Sequence, residues 1–178
     1  MVFLYNGSMK KVQCILGIGL ISIFLMTGCT QQTISRSYTN NVYGFSLNPP
    51  SGWQEIENEL SNVAVWFAPA NSSNVSLIVA IPFTLSEGRA LSTFADQVEE
   101  NLSASGMNYT ILYRDWRLVP DVQAYEIAYS YDQDGTSEYI KQVAVLKTRT
   151  VFLITFTAPF ELSPYYLTDV NQSIDSFM

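Results

Sequence analysis

The chain contains no histidine. The commonest general base at neutral pH and the commonest metal ligand are therefore missing, and a Ser-His-Asp triad is impossible. Cysteine is nearly as scarce. Cys14 and Cys29 are the only two, and both lie near the start of the 178-residue chain. Everything beyond Cys29 therefore lacks a disulfide, a thiol nucleophile and a thiolate metal site. Basic charge is also thin. Seven basic residues face sixteen acidic ones beyond Cys29, a formal charge of −9. Such a surface does not neutralise phosphates, which excludes nucleic acid as a partner, and it does not adsorb to anionic lipid by charge. No Gly-rich phosphate loop is present. Charged residues make up only 14% against 48% hydrophobic, so the bulk of the chain is not of the disordered type.

The long apolar stretch is Val12 to Met26. It is shorter than the roughly 20 residues of a spanning helix and contains Gly17 and Gly19. Met9-Lys10-Lys11 precedes it and Thr27-Gly28-Cys29 closes it. A charged n-region, an apolar h-region and a small-residue close make a secretory signal. Leu25 to Cys29 resembles a lipobox, which implies diacylglycerol on Cys29 and cleavage just before it. The reading is a signal peptide over 1–28, with translation starting at Met9, where the lysines take their n-region place. Residues 29–37 are then a lipidated cysteine with a polar tether, and 38–178 the folded domain. The alternative is an uncleaved anchor. The expected location is the extracytoplasmic face of the cell membrane, with the bilayer itself as one partner through Cys29 and a membrane or cell-surface protein as the other.

Within the domain, period-2 patterns alternate with turn chemistry. Val42 to Asn48 reads as a strand ending at Pro49-Pro50-Ser51-Gly52. Val63 to Phe67 and Val75 to Ile81 follow as strands. Leu91, Phe94, Ala95, Val98 and Leu102 then recur at helical spacing, with Gly106 as the stop. Strands follow at Asn108 to Leu118 and Val122 to Tyr131, the latter with Tyr125, Ile127, Tyr129 and Tyr131 on one face. Further strands are expected at Glu138 to Lys147 and Val151 to Thr157. Asp132-Gln133-Asp134-Gly135 is the turn of a hairpin. Leu162 to Phe177 closes the chain as a helix carrying Tyr166, Val170, Ile174 and Phe177 on one side. Three strands, a helix, four strands and a helix make an α+β protein. Short turns impose antiparallel pairing, and the sheet needs covering on both faces.

The run Tyr43-Gly44-Phe45-Ser46-Leu47 followed by Pro50-Ser51-Gly52-Trp53 resembles the opening of the PsbP family. The amphipathic helix at Leu91 to Leu102, the Ala124-Tyr125 strand, the Phe152 to Pro159 strand and the closing Ile174-Asp175-Ser176-Phe177 fall in the same order. The resemblance covers residues 38–178. It implies an α-β-α sandwich around a mainly antiparallel sheet, the fold of the Ran-binding Mog-type nuclear-transport factor. Photosynthetic members are extrinsic photosystem subunits that help retain calcium and chloride. The short tether puts docking of that kind in doubt, and the metal-binding histidines of some relatives have no counterpart here.

Several residue groups merit a functional reading. Asp132, Asp134 and Glu138 around Gly135 allow a weak calcium site. They lack the length and further ligands of an EF-hand, and Asp and Gly are also what a hairpin tip requires. No other cofactor is expected. Trp53, Trp66 and Trp116 are candidates for a ligand groove, set against the usual role of strand aromatics as core. Glu55, Glu57 and Glu59 read as a solvated edge. Sequons at Asn71, Asn74, Asn101, Asn108 and Asn171 are possible glycan acceptors on a polar exterior. Lys141 and Lys147 sit in strands without an activated serine beside them. No catalytic constellation results. The expected function is a non-enzymatic, membrane-tethered binding or assembly module. The alternative is an unusual enzyme, or a surface protein that binds a small ligand or cation. An enclosed pocket holding a carboxylate against apolar walls would favour the alternative. A shallow acidic or aromatic patch would favour the module.

Overall fold

Among the described residues, ten strands and two helices follow one another in the order β1 (Tyr38–Asn40), β2 (Phe45–Leu47), β3 (Trp53–Glu55), β4 (Val63–Pro69), β5 (Ser76–Ala80), β6 (Phe83–Thr84), α1 (Thr93–Ser105), β7 (Asn108–Val119), β8 (Val122–Gln133), β9 (Thr136–Lys147), β10 (Thr150–Pro159) and α2 (Ser163–Asp175). This computed structural model describes residues 37–178 apart from positions 58–59, 73, 87–89, 107 and 134. The expected signal segment, the expected lipidation site Cys29 and most of the expected tether lie outside the described residues.

Eight strands form one antiparallel sheet in the order β3-β4-β5-β10-β9-β8-β7, with β6 added against β10. β1 and β2 form a separate two-stranded hairpin. The expected strand at Val42 to Asn48 is therefore displaced. The Asn40 side chain accepts the backbone N–H groups of Val42 and Tyr43, both at 3.1 Å, and Gly44 takes φ +70°. Together they turn the chain back, so only Phe45–Leu47 continues as a strand. The short strands β1, β3 and β6 are additions to the expected set. Each is two or three residues long, too short to show a period.

The long strands β8, β9 and β10 alternate strictly, and their two sets of side chains build two layers. Ala124, Ala128, Tyr139, Val143, Val145, Phe152, Ile154 and Phe156 face α2 and join Phe45, Leu47, Phe67, Leu77, Val170, Ile174 and Phe177 in one core. Aromatic contacts run through it: Phe45 stacks on Phe177 at 5.4 Å, and Phe177 meets Phe152 at 5.3 Å. Val170, Ile174 and Phe177 are the helical stripe expected of α2. On the other face, Phe94, Val98 and Leu102 of α1 cover Ile127, Tyr129 and Tyr131. Gly106 ends α1 at φ +69°, a conformation costly for a residue with a Cβ.

Candidate functional site

The chemistry-bearing side chains gather where β7, β8 and β9 meet α2. Sequence alternation alone would not put them there. At the start of β7, Tyr109 and Ile111 stand opposite Tyr131 and Tyr129 and face α1. The register then shifts between Ile111 and Tyr113. One extra residue, Leu112, reverses the parity of everything after it. Tyr113, Asp115 and Arg117 now stand opposite Ala128, Glu126 and Ala124 and face α2. Arg114 and Trp116, opposite Ile127 and Tyr125, face α1.

On the α2 side this shift assembles a buried ionic network. Glu126 is 8% and Lys141 3% exposed. Lys141 Nζ lies 2.9 Å from Glu126 Oε1, and Arg117 Nη1 donates to Glu126 Oε2 at 2.6 Å. Lys141 also donates to Asn171 Oδ1 at 2.7 Å, and Arg117 donates to Asp175, both on α2. The small residues Ala124 and Ala128 flank Glu126 on β8 and leave room for these longer chains. Two cations and two carboxylates balance, and each partner satisfies another, as buried charge requires.

Burial by itself raises the Glu126 carboxyl pKa. The Tyr113 hydroxyl, the Lys141 ammonium and Arg117 reverse that and hold it below its ordinary value of 4.5. Burial lowers the Lys141 ammonium, only partly offset by Glu126. For Arg117, Glu126 and Asp175 outweigh burial and raise the guanidinium. Tyr113 pushes strongly upward, first from burial and then from its hydrogen bonds with Glu126 and Tyr139, so its phenol stays protonated. This arrangement ties the edge of the sheet, through Arg117 and Lys141, to α2.

The outer side of β7 has a different character. β7 ends the sheet, and among the described residues no strand pairs with its free edge. Leu112, Tyr113, Trp116 and Leu118 are all exposed, Trp116 at 44% and Leu118 at 64%. The Trp116 ring meets Tyr125 edge-on at 4.9 Å. Arg114 ties the strand to α1 through Glu99 at 2.6 Å. Beside it lies an open, shallow depression lined by Asp96, Glu99, Glu100, Ser103, Ala104 and Tyr109.

The residues singled out from sequence do not converge. Trp53 packs against Phe156 and Tyr166 on the α2 side. Trp66 stands opposite Ile78 on the other face, and Trp116 is at the far edge strand. These three therefore line no common groove. Asp132 is paired with Ser137 and Glu138 with Tyr131, so adjacent register positions send the two carboxylates to opposite faces. The structure does not bring these two side chains together, and Asp134 lies outside the described residues. Among the described residues no three acidic, His or Cys side chains stand close enough to hold a metal. Asp132 instead accepts from Asn108 at 3.3 Å, while burial raises the Glu138 carboxyl. Asn71, Asn74, Asn101 and Asn108 are exposed, whereas Asn171 is committed to Lys141. Glu55 and Glu57 are exposed, and Glu59 is outside the described residues.

The network itself was missed, although it left a mark in the sequence. Glu126 interrupts the core-facing set Ala124-Ala128 on β8, and Lys141 interrupts Tyr139-Val143 on β9. Opposite charges at inward positions of neighbouring strands form a legible pair. Arg117 was hidden by the bulge.

An antiparallel sheet carrying one helix on each face defines an α+β protein with the fold of PsbP and Mog1. Within that class the chain belongs to the DcrB family, which matches it over residues 45–176. The solution structure of the cyanobacterial PsbP protein CyanoP from Synechocystis is similar at TM-score 0.63 and 12% identity, covering 86% of this chain and 98% of that one. LpqN of Mycobacterium tuberculosis, involved in cell envelope biogenesis, is similar at TM-score 0.59 and 12% identity, over 76% and 82%. The Ran-binding protein Mog1p of Saccharomyces cerevisiae is similar at TM-score 0.59 and 10% identity, over 80% and 94%. Identities this low carry the fold alone. No curated protein sequence matches the chain.

Proposed function

We propose that this chain is an extracytoplasmic lipoprotein, fastened to the membrane through Cys29, whose DcrB domain is a non-enzymatic binding or assembly module. The observation that carries the reading is the outer surface of β7. Trp116 and Leu118 project from an edge strand whose opposite side is locked by the Arg117–Glu126–Lys141 network. Rigid, exposed aromatic and aliphatic side chains are what a protein interface uses as anchors. The depression beside them is open and acidic, which suits a protein contact better than an enclosed reaction. Two proteins of the same fold, one Ran-binding and one involved in cell envelope biogenesis, support a role played through surfaces.

Two measurements test this reading. Mass spectrometry of the membrane-extracted protein should find an acylated N-terminus at Cys29, lost in Cys29→Ala. An unacylated chain starting at Met1 or Met9 rejects the tether. Affinity capture from solubilised membranes should recover a reproducible partner with the wild type and much less with Trp116→Ala/Leu118→Ser. Equal recovery would move the contact away from β7, and no reproducible partner would count against the module.

A further inference from the structure

From the free edge of β7 we infer that this surface pairs with a second copy of itself, strand to strand and antiparallel, about a two-fold axis at Trp116. This inference rests on the reading of β7 as the contact surface and names its occupant. Three features of the strand point to it.

The first is the direction of its backbone groups. β7 and β8 are joined by the two-residue turn Pro120-Asp121, with Val119 opposite Val122. Antiparallel alternation counted from such a turn has Val119, Arg117 and Asp115 exchanging their bonds with β8. The N–H and C=O groups of Leu118, Trp116 and Arg114 are then turned outward. Trp116 agrees with this: its N–H donates to Oδ1 of the preceding residue, Asp115, at 2.7 Å rather than to β8. A row of outward groups with no strand beside it among the described residues is a template for another strand, whose carbonyl would take the Trp116 N–H over from Asp115.

The second is where the row stops. Leu112, the bulge, closes it on one side, and Pro120, which has no N–H, closes it on the other. Tyr113 to Val119 lies between them, and its centre is Trp116. A two-fold axis there matches outward groups to outward groups, because Trp116 and the pair Arg114/Leu118 all carry them.

The third is charge. In that register Asp115 faces the partner's Arg117 and Arg117 faces the partner's Asp115. Shifting the centre by one residue places Asp115 on its own copy and turns the bonded groups inward. Charged residues ordinarily protect an edge strand, but here one register makes them complementary. Isologous self-pairing of this kind is the usual form of a two-fold dimer.

The test places the photoreactive residue p-benzoylphenylalanine at Leu118, in cells expressing the full chain. Leu118 is exposed and outside the ionic network, so the fold should tolerate the change. The expected product is an adduct of twice the chain's mass, with peptide mapping placing the link in Tyr113 to Val119. It should fall at least ~10-fold when Asp115→Lys sets a cation against the partner's Arg117, a loss of about 1.4 kcal/mol. A probe at Val42, exposed in the turn between β1 and β2, should give none. Adducts to other proteins alone would overturn self-pairing and leave the binding surface standing. No adduct of either kind would overturn both. A self-adduct undiminished by Asp115→Lys would reject the register.

Discussion

The two faces of the sheet are each covered by a 13-residue helix, yet they are packed differently. The α2 face is one continuous core reaching from β4 to Val119 at the end of β7, because the β1–β2 hairpin joins α2 in covering it. The C-terminal residue strengthens that cover, since Ser46 and Met178 exchange backbone bonds at 3.0 and 2.9 Å. The α1 face holds two smaller clusters, around Leu102 and Leu91. Helix length is therefore not what sets the depth of a layer; a second element laid beside the helix does. Charge follows the same division. The network sits at the margin of the deep face, where burial strengthens each pairing and makes a missing partner costly. On the shallow face Arg114 and Glu99 remain in contact with water, where such a pair contributes little.

Deleting Leu112 would break this contrast most severely. Removing the bulge returns Tyr113 and Arg117 to the α1 side and leaves Glu126 and Lys141 without Arg117. A loss above about 4 kcal/mol is expected, read as a collapsed denaturant midpoint, while Leu112→Ala, which keeps the register, stays near wild type. Next comes Glu126→Leu, which leaves Lys141 uncompensated and should cost about 3–5 kcal/mol. Glu126→Leu/Lys141→Met removes both charges and should recover most of that loss. A double variant as unstable as the single would show that the cost lies in packing. Truncation sharpens the comparison of depth. Phe156→Ala on the α2 face should cost about 3–5 kcal/mol and Leu102→Ala on the α1 face nearer about 2, and equal losses would erase the distinction between the layers.

Acid should act with opposite sign on the two faces: it weakens the α2 face through Glu126, whereas the half-buried Glu138 carboxyl, raised on the α1 side, is relieved as it protonates. The folded Glu126 carboxyl titrates below its ordinary 4.5. Its contribution is therefore complete above pH 4.5 and disappears as pH falls through the lowered folded value, at about 1.4 kcal/mol per unit of depression. Urea unfolding at pH 7, 5, 4 and 3 should show wild type losing this increment while Glu126→Leu/Lys141→Met does not. Parallel curves would remove the carboxylate from the account. The smallest effect belongs to the outer edge. Leu118→Lys should change stability by less than about 0.5 kcal/mol, because that side chain touches water in the folded chain.

Much of this contrast is written in short stretches of the chain. Tyr125, Ile127, Tyr129 and Tyr131 declare one face of β8, and Phe94, Val98 and Leu102 declare the stripe that covers it. Gly106 and Gly135 stop a helix and turn a hairpin through a backbone angle that other residues avoid. These features depend on neighbours within a few positions, so a linear reading reaches them. The Asp132/Glu138 pairing looked equally local, but one step of register parts the two side chains. The three tryptophans were joined only by type. Nothing in their spacing carried the information that two sheet faces and opposite ends of the sheet would separate them.

The sequence alone therefore determined the α+β class, the antiparallel order of the long strands, the two amphipathic helices and a domain without histidine or cysteine. All of these follow from local period, turn chemistry and composition. Tertiary structure alone decided which face β7 presents after Leu112, and thereby whether Arg117 meets Glu126 and Lys141. It also decided which edge of the sheet stays open. Side-chain parity in a strand is a property of the whole ladder, and a single unpaired residue inverts it for every position that follows.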